Sequence, residues 1–224
     1  MNFDLVVFDL DGTLVDSAPD LRLAVNRVLA AHGAQALELA QIRRMIGDGA
    51  AQLLARAFAA RALTMPDPKA VLQQFFTAYQ TDPTANTRLY EGVSETLEAA
   101  HRRGIPMAVC TNKPEALARI ILDRLRVGAY FRDVVGGDTH PFRKPDARMI
   151  SELLPRFAAR PERTLMVGDS EIDAATAQAA AVPFVLMTYG YRRGPVQDIA
   201  CLAALERFSK LAALIGTAPA AAPV

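Results

Sequence analysis

Leu5-Val6-Val7-Phe8-Asp9-Leu10-Asp11-Gly12-Thr13 is the stretch from which the fold can be read. Its leading apolar residues do not alternate with polar ones, as expected of a strand buried on both faces of a parallel sheet. The run then stops abruptly at two aspartates and a glycine. The same grammar recurs along the chain in Met107-Ala108-Val109-Cys110, Val134-Val135, Thr164-Leu165-Met166-Val167 and Phe184-Val185-Leu186-Met187. Helical spacing fills the intervals. Val93, Leu97 and Ala100 follow i, i+4, i+7, as do Leu117 and Ile121 with Ile120 beside them, and Ile150, Leu153, Leu154 and Phe157 form a further stripe. Strand–helix–strand alternation predicts an α/β fold, a doubly wound and mostly parallel sheet with right-handed crossovers.

One long stretch departs from this rhythm. Between about Asp16 and Arg88 no convincing strand can be read, only helical stripes: Leu21, Val25 and Val28; Leu53, Leu54, Ala57 and Phe58; Val71, Leu72, Phe75, Phe76 and Tyr79. Gly47, Gly49, Pro66 and Pro68 punctuate them, and Asp82-Pro83-Thr84-Ala85-Asn86-Thr87 leads the chain back to the sheet. The expected organisation is a core of residues 1–15 and 88–216, an all-helical insert over 16–87, and a disordered Ala/Pro-rich tail over 217–224. The Phe75, Phe76, Tyr79 stripe is expected to pack inside the insert.

Composition narrows the function classes. The 224 residues are 51% hydrophobic and 22% charged, ample for a packed core and incompatible with a largely disordered chain. Lys plus Arg number 25 against 24 for Asp plus Glu, so no electrostatic footprint for nucleic acid or an anionic membrane is present. Cys110 and Cys201 cannot build a disulfide framework, nor a zinc site alone. No apolar run is long enough to span a bilayer and no signal peptide is evident, so the expected compartment is the cytoplasm.

In open α/β sheets ligands bind beyond the carboxyl ends of the strands. The residues predicted there are Asp9 to Thr13, Thr111-Asn112-Lys113, Lys144 before Pro145, and Gly168-Asp169-Ser170 with Asp173 downstream. Carboxylates with no His or Cys beside them are hard oxygen donors suited to Mg²⁺. Gly12 lets the backbone turn where a side chain would obstruct. Thr111 and Asn112 stand just before Pro114, expected at the first helical position, and so offer hydroxyl, amide and backbone N–H groups to an anion. Lys144 would neutralise phosphoryl charge. Blander roles compete with each assignment. Asp9 and Asp11 also suit a turn, Thr111 and Asn112 a helix cap, and Lys144 a solvated surface. Asp173 fits a capping pattern with Ser170 at the start of the next helix. Lys113 reads as an orienting or exposed residue. Arg43 and Arg44, just before Gly47, could meet a ligand's anionic group but read rather as a solvated face, with the Gly47–Gly49 loop the better candidate for contact between insert and site.

The ordered motifs D-L-D-G-T (Asp9 to Thr13), T-N-K (Thr111 to Lys113), K-P (Lys144 and Pro145) and G-D-S-x-x-D (Gly168 to Asp173) resemble those of the haloacid dehalogenase superfamily of aspartate-nucleophile phosphatases. The helical insert looks like that superfamily's type 1 cap. Within it, Asp9 to Leu21, Ile46 to Ala50, Gly136 to Thr139, Arg143 to Asp146 and Thr188 to Tyr191 are similar to bacterial phosphoglycolate phosphatases. Ala181 departs from a usual glycine and Ala147 from a common proline.

The resemblance implies Mg²⁺-dependent hydrolysis of a phosphomonoester, 2-phosphoglycolate foremost, with Asp9 as nucleophile and Asp11 as general acid and base. It implies Mg²⁺ on the Asp9 carboxylate, the Asp11 backbone carbonyl and the Asp169 carboxylate, and phosphoryl oxygens on Thr111, Asn112 and Lys144. It further implies that Asp173 supports the metal site or Lys144, and that the partner is a small phosphorylated metabolite bound by a monomer or homodimer. A phosphomutase of the β-phosphoglucomutase type, a different small sugar phosphate as substrate, and a non-enzymatic regulatory use of the fold are the competing expectations.

Overall fold

A computed structural model describes residues 3–216, so the expectation for the 217–224 tail lies outside the described residues. The chain opens with β1 (Leu5–Phe8) and β2 (Val15–Asp16), then runs through α1 (Ala18–Ala31), α2 (Leu39–Arg43), α3 (Ala50–Ala59) and α4 (Pro68–Gln80). It returns through β3 (Arg88–Leu89), α5 (Val93–Arg102), β4 (Met107–Cys110), α6 (Glu115–Arg124) and β5 (Asp133–Val135). The remainder is α7 (Arg148–Ser151), β6 (Thr164–Gly168), α8 (Glu171–Ala179), β7 (Phe184–Met187), β8 (Ala203–Leu205) and α9 (Leu211–Leu214).

A parallel sheet in the order β5-β4-β1-β6-β7-β8 carries the core. Alternate residues of each strand point to opposite faces. Val6 and Phe8 enter one apolar cluster with Val109, Val134 and Val167, covered by α5, α6 and α9. Leu5 and Val7 enter the other with Cys110, Met149 and Met166, covered by α7 and α8. Burial on both faces explains why these strands read as unbroken apolar runs. The chain builds one side of β1 with β4 and β5, then crosses to build the other with β6, β7 and β8. That reversal of strand order makes the carboxyl end of β1 the crevice where a ligand site belongs.

Helices α1 to α4 form a third apolar cluster of their own, which also takes in Leu117 and Tyr191 from the core. Where no strand was expected, β2 and β3 pair antiparallel as a two-residue ribbon, Val15 against Leu89 and Asp16 against Arg88, clamping the two chain crossings together. Such a short ribbon has no periodicity to read.

Three further details were not legible in the sequence. Ile120 is 42% exposed; only Leu117 and Ile121 of that trio are buried. The Ile150 to Phe157 stripe is not one helix but α7 followed by a 3₁₀ turn over Leu154–Phe157, because Pro155 lacks the N–H an α-helix would use there. Strand β8 was missed because Ala203-Ala204-Leu205 is a short, half-exposed edge strand without a bulky run. No helix among the described residues is long and apolar enough to cross a membrane.

Candidate active site

Strand β1 delivers Asp9 to the crevice, where its backbone N–H donates to Val167 O at 2.9 Å and its side chain is almost wholly buried. The chain then turns at Gly12, whose φ of 93° lies in the left-handed region. A Cβ on Gly12 would overlap the Asp169 carboxylate, so the lack of a side chain is needed for space as well as for the turn. Asp169, from the end of β6, is fixed on both oxygens: Thr13 Oγ1 donates to Oδ1 at 2.8 Å and the Tyr191 N–H to Oδ2 at 2.6 Å.

Lys144 is buried, not solvated. Its Nζ lies 2.7 Å from Asp9 Oδ1 and 2.6 Å from Asp173 Oδ1. Asp173 satisfies both roles considered for it. Its Oδ2 accepts from the Ser170 hydroxyl and from the N–H groups of Asp169 and Ser170, while Ser170 Oγ accepts from the Asp173 N–H, closing a capping box at the start of α8.

Burial pushes the Asp9 carboxyl up to about 7 despite the opposing pull of Lys144. Burial, with the charges of Asp173 and Asp9, holds the Asp169 carboxyl well above the usual range. Burial works against the Lys144 ammonium, yet Asp173 and Asp9 more than offset it and keep Lys144 firmly charged. Carboxylate oxygens of Asp9, Asp169 and Asp173 all lie within 4.8 Å of one another. Three buried acids this close are costly without a cation, and a hard divalent ion fits the donor set.

Asp11 turns the other way. Ser17 Oγ donates to its Oδ1 at 2.5 Å, and Lys113 Nζ lies 2.9 and 2.8 Å from its two oxygens. The Ser17 hydroxyl serves Asp11 instead of capping α1. Lys113 is therefore not the exposed residue that was one expectation for it; its side chain is 4% exposed and oriented on Asp11, with burial more than offset by that carboxylate. Thr111 is buried beside it, its Oγ1 accepting from the Lys113 N–H at 3.3 Å. Asn112 spends its carboxamide on backbone groups: Nδ2 donates to Gly47 O and Lys144 O, and Oδ1 accepts from the Lys144 N–H. What Asn112 offers an anion is thus its backbone. Pro114 is the N-cap of α6, one place earlier than expected.

A cleft of about 510 Å³, mouth included, separates this floor from the helical insert. Gly47 and Gly49 line it, as expected of their loop, whereas Arg43 and Arg44 lie on the exposed face, Arg43 paired with Asp16. The Phe75, Phe76, Tyr79 stripe does more than pack inside the insert: all three residues also line the cleft, and Phe76 is only partly buried. Asp48 of the same loop pairs with Arg56 in the insert and Arg193 in the core.

The structure thus brings together Asp9, Asp11, Thr111, Asn112, Lys144 and Asp169. Sequence reasoning missed the supports Thr13 and Tyr191 on Asp169 and Ser17 on Asp11, while of the two readings open for Lys113 the orienting one holds. Thr13 and Tyr191 stand inside quoted motifs, but nothing in their spacing names their partners. Cys110 lies in the core with burial pushing its thiol up to about 12, and neither cysteine is bonded to another.

The model for haloacid dehalogenase-like hydrolases matches residues 6–187. A phosphoglycolate phosphatase of Rhodospirillum rubrum is 45% identical over 217 residues, covering 94% of this chain and 90% of that one. One of Cereibacter sphaeroides is 46% identical over 196 residues, 87% of this chain and 89% of that one. The crystal structure of a predicted phosphoglycolate phosphatase from Haemophilus somnus superposes with a TM-score of 0.91 at 32% identity, over 96% of this chain and 98% of that one.

Proposed function

The chain belongs to the haloacid dehalogenase-like hydrolases, and from that membership we propose that it is a Mg²⁺-dependent phosphomonoesterase acting on 2-phosphoglycolate through an aspartyl-phosphate. The observation that carries the reading is the arrangement of Asp9. It is buried at the end of the central strand, held by Lys144, flanked by Asp169, and open to a cleft roofed by the insert. We take residues 16–87 as a cap domain and the rest of the folded chain as the catalytic core.

The Asp9 carboxylate attacks phosphorus in line, the phosphorus–ester oxygen bond breaks, and the phosphoryl group passes to Asp9. Asp11 gives its proton to the departing alkoxide, then takes a proton from the water that attacks phosphorus, and the bond from phosphorus to the Asp9 oxygen breaks to release phosphate and restore the Asp9 carboxylate. Lys144 and the backbone amides around Thr111 and Asn112 hold the phosphoryl oxygens. The Asp9 carboxylate, the Asp11 backbone carbonyl and the Asp169 carboxylate would hold Mg²⁺, whose charge lets a phosphate dianion approach an aspartate. Thr13 and Tyr191 keep the Asp169 carboxylate aimed, and the apolar cap wall of Leu21, Ile46 and Leu53 excludes bulk water.

The same reading makes the protein a cytoplasmic monomer or homodimer with no nucleic-acid or membrane partner. Phosphate release from a panel of phosphomonoesters, with Mg²⁺ and with EDTA, tests the proposal. Mg²⁺-dependent release with the highest kcat/KM on 2-phosphoglycolate is expected. Unselective release would discard the substrate, and no release from any ester would discard the activity.

A further inference from the structure

Helix α4 of the insert carries Tyr79 into the cleft wall, where the residue is 2% exposed. Its hydroxyl is fully buried and makes no hydrogen bond of good geometry among the described residues. Buried phenols ordinarily have a partner, because an unmade bond leaves the desolvation cost uncompensated. The Lys113 ammonium stands 4.9 Å from the centre of the Tyr79 ring while it bridges the two Asp11 oxygens. A buried donor and a cation therefore adjoin the group that protonates the leaving oxygen. The rest of the cap wall is apolar, and Lys113 is the one basic residue among the described residues lining this cleft.

We propose that Tyr79 is a specificity-determining residue whose hydroxyl, together with the Lys113 ammonium, receives an anionic oxygen at the non-phosphoryl end of the substrate. Burial pushes the phenol up to about 12, so it is a donor at neutral pH. The pair sits beside Asp11, so the anionic oxygen it recognises lies close to the leaving oxygen, as it does where a single methylene separates the ester oxygen from a carboxylate. That selects compact phosphorylated carboxylic acids over neutral esters of the same size. The inference rests on the functional reading above and adds to it which cap residue sets the choice.

The test compares kcat/KM for 2-phosphoglycolate with that for ethyl phosphate, the two-carbon ester lacking a carboxylate, in the wild type and in Tyr79→Phe. A hydrogen bond to a charged group changes affinity on the order of tenfold to a hundredfold. The preference for 2-phosphoglycolate is expected to fall by about that factor, chiefly through KM. The melting temperature should hold or rise, since in the free protein the hydroxyl makes no hydrogen bond of good geometry and has only the Lys113 ammonium near it. A wild-type preference that survives intact in Tyr79→Phe would overturn the inference alone. So would equal slowing on both esters or a lowered melting temperature, which would mark Tyr79 as a packing residue. A wild type with no preference for 2-phosphoglycolate would overturn the functional reading, and this inference with it.

Discussion

Replacing Lys144 by Met keeps the length of the side chain and removes its charge from between Asp9 and Asp173. Both ion pairs are at contact distance and the lysine side chain is 2% exposed. At an effective dielectric of ~20, one such pair at ~4 Å is worth about 4 kcal/mol. Two pairs are offset by the cost of dehydrating an ammonium, and breaking buried pairs costs about 3–5 kcal/mol in practice. Metal-free Lys144→Met should therefore lose about 3–5 kcal/mol at pH 8.

The loss should depend on pH in a defined direction. The Asp9 carboxyl already stands at about 7 in the folded protein against an ordinary value of 3.8. Between those values the native state binds more protons than the unfolded chain, so this group's contribution to stability falls as pH rises. Removing the lysine raises the folded value further and stretches the window upward. At pH 5 the protonated acid no longer needs a cation, and the cost of the substitution should shrink. Urea unfolding in EDTA at both pH values measures it. The double variant Lys144→Met, Asp173→Asn should recover stability at pH 8 without recovering turnover, as expected for coupled neighbours. A Lys144→Met protein as stable as wild type at pH 8, or equally destabilised at both pH values, would refute the reasoning.

Other outcomes follow from particular residues. Ala181 sits at φ 55° just after α8, where its N–H bonds Gln178 O and the Val182 N–H bonds Ala177 O in a Schellman turn. Ala181→Gly should relieve about 1–2 kcal/mol of left-handed strain, less the entropy of a freer unfolded chain, for a net gain of ~0.5–1 kcal/mol. In a chain of this size that raises Tm by roughly 1–4 °C in calorimetry with kinetics unchanged; a lower Tm would contradict it. Gly12→Ala adds a methyl group against Asp169 at a left-handed position and should cost about 1–3 kcal/mol. It should also shrink the rise in Tm expected on adding Mg²⁺, and an undiminished rise would separate Gly12 from the proposed metal site. Asp11→Asn keeps an acceptor for Ser17 but cannot shuttle a proton, so kcat should fall by about 10²–10⁴. Unchanged steady-state rates would remove Asp11 from that duty.

Much of the fold was legible because parallel strands buried on both faces are apolar along nearly their whole length, as β1, β4 and β7 are and as β6 is after Thr164. The β2–β3 ribbon, β8 and the broken α7 segment are too short to impose a period, and contacts elsewhere in the fold decide them. Asp9, Thr111 and Asp169 could be read as site residues because each follows directly on a strand, where the topology places a ligand. An orienting role for Lys113 was among the readings, but its partner could not be named, since Asp11 lies 102 residues away and neither residue's neighbours name the other. Tyr79 was hidden for a related reason. Its helical spacing marks it as interior, and only the way the insert folds back over β1 shows that the interior face continues as the wall of the cleft. Ala181 was visible as a departure from a related family's glycine, but its cost appears only with its backbone angle.

The most direct test is to mix enzyme in excess with 2-phosphoglycolate and Mg²⁺, quench in acid within one turnover, and locate the phosphoryl group by peptide mass mapping. The wild-type protein should carry it on Asp9, whereas Asp9→Asn, with its fold and melting temperature preserved, should carry none and release no phosphate. Phosphate release without a phosphorylated Asp9, or sustained turnover by Asp9→Asn, would contradict the nucleophile on which the account depends.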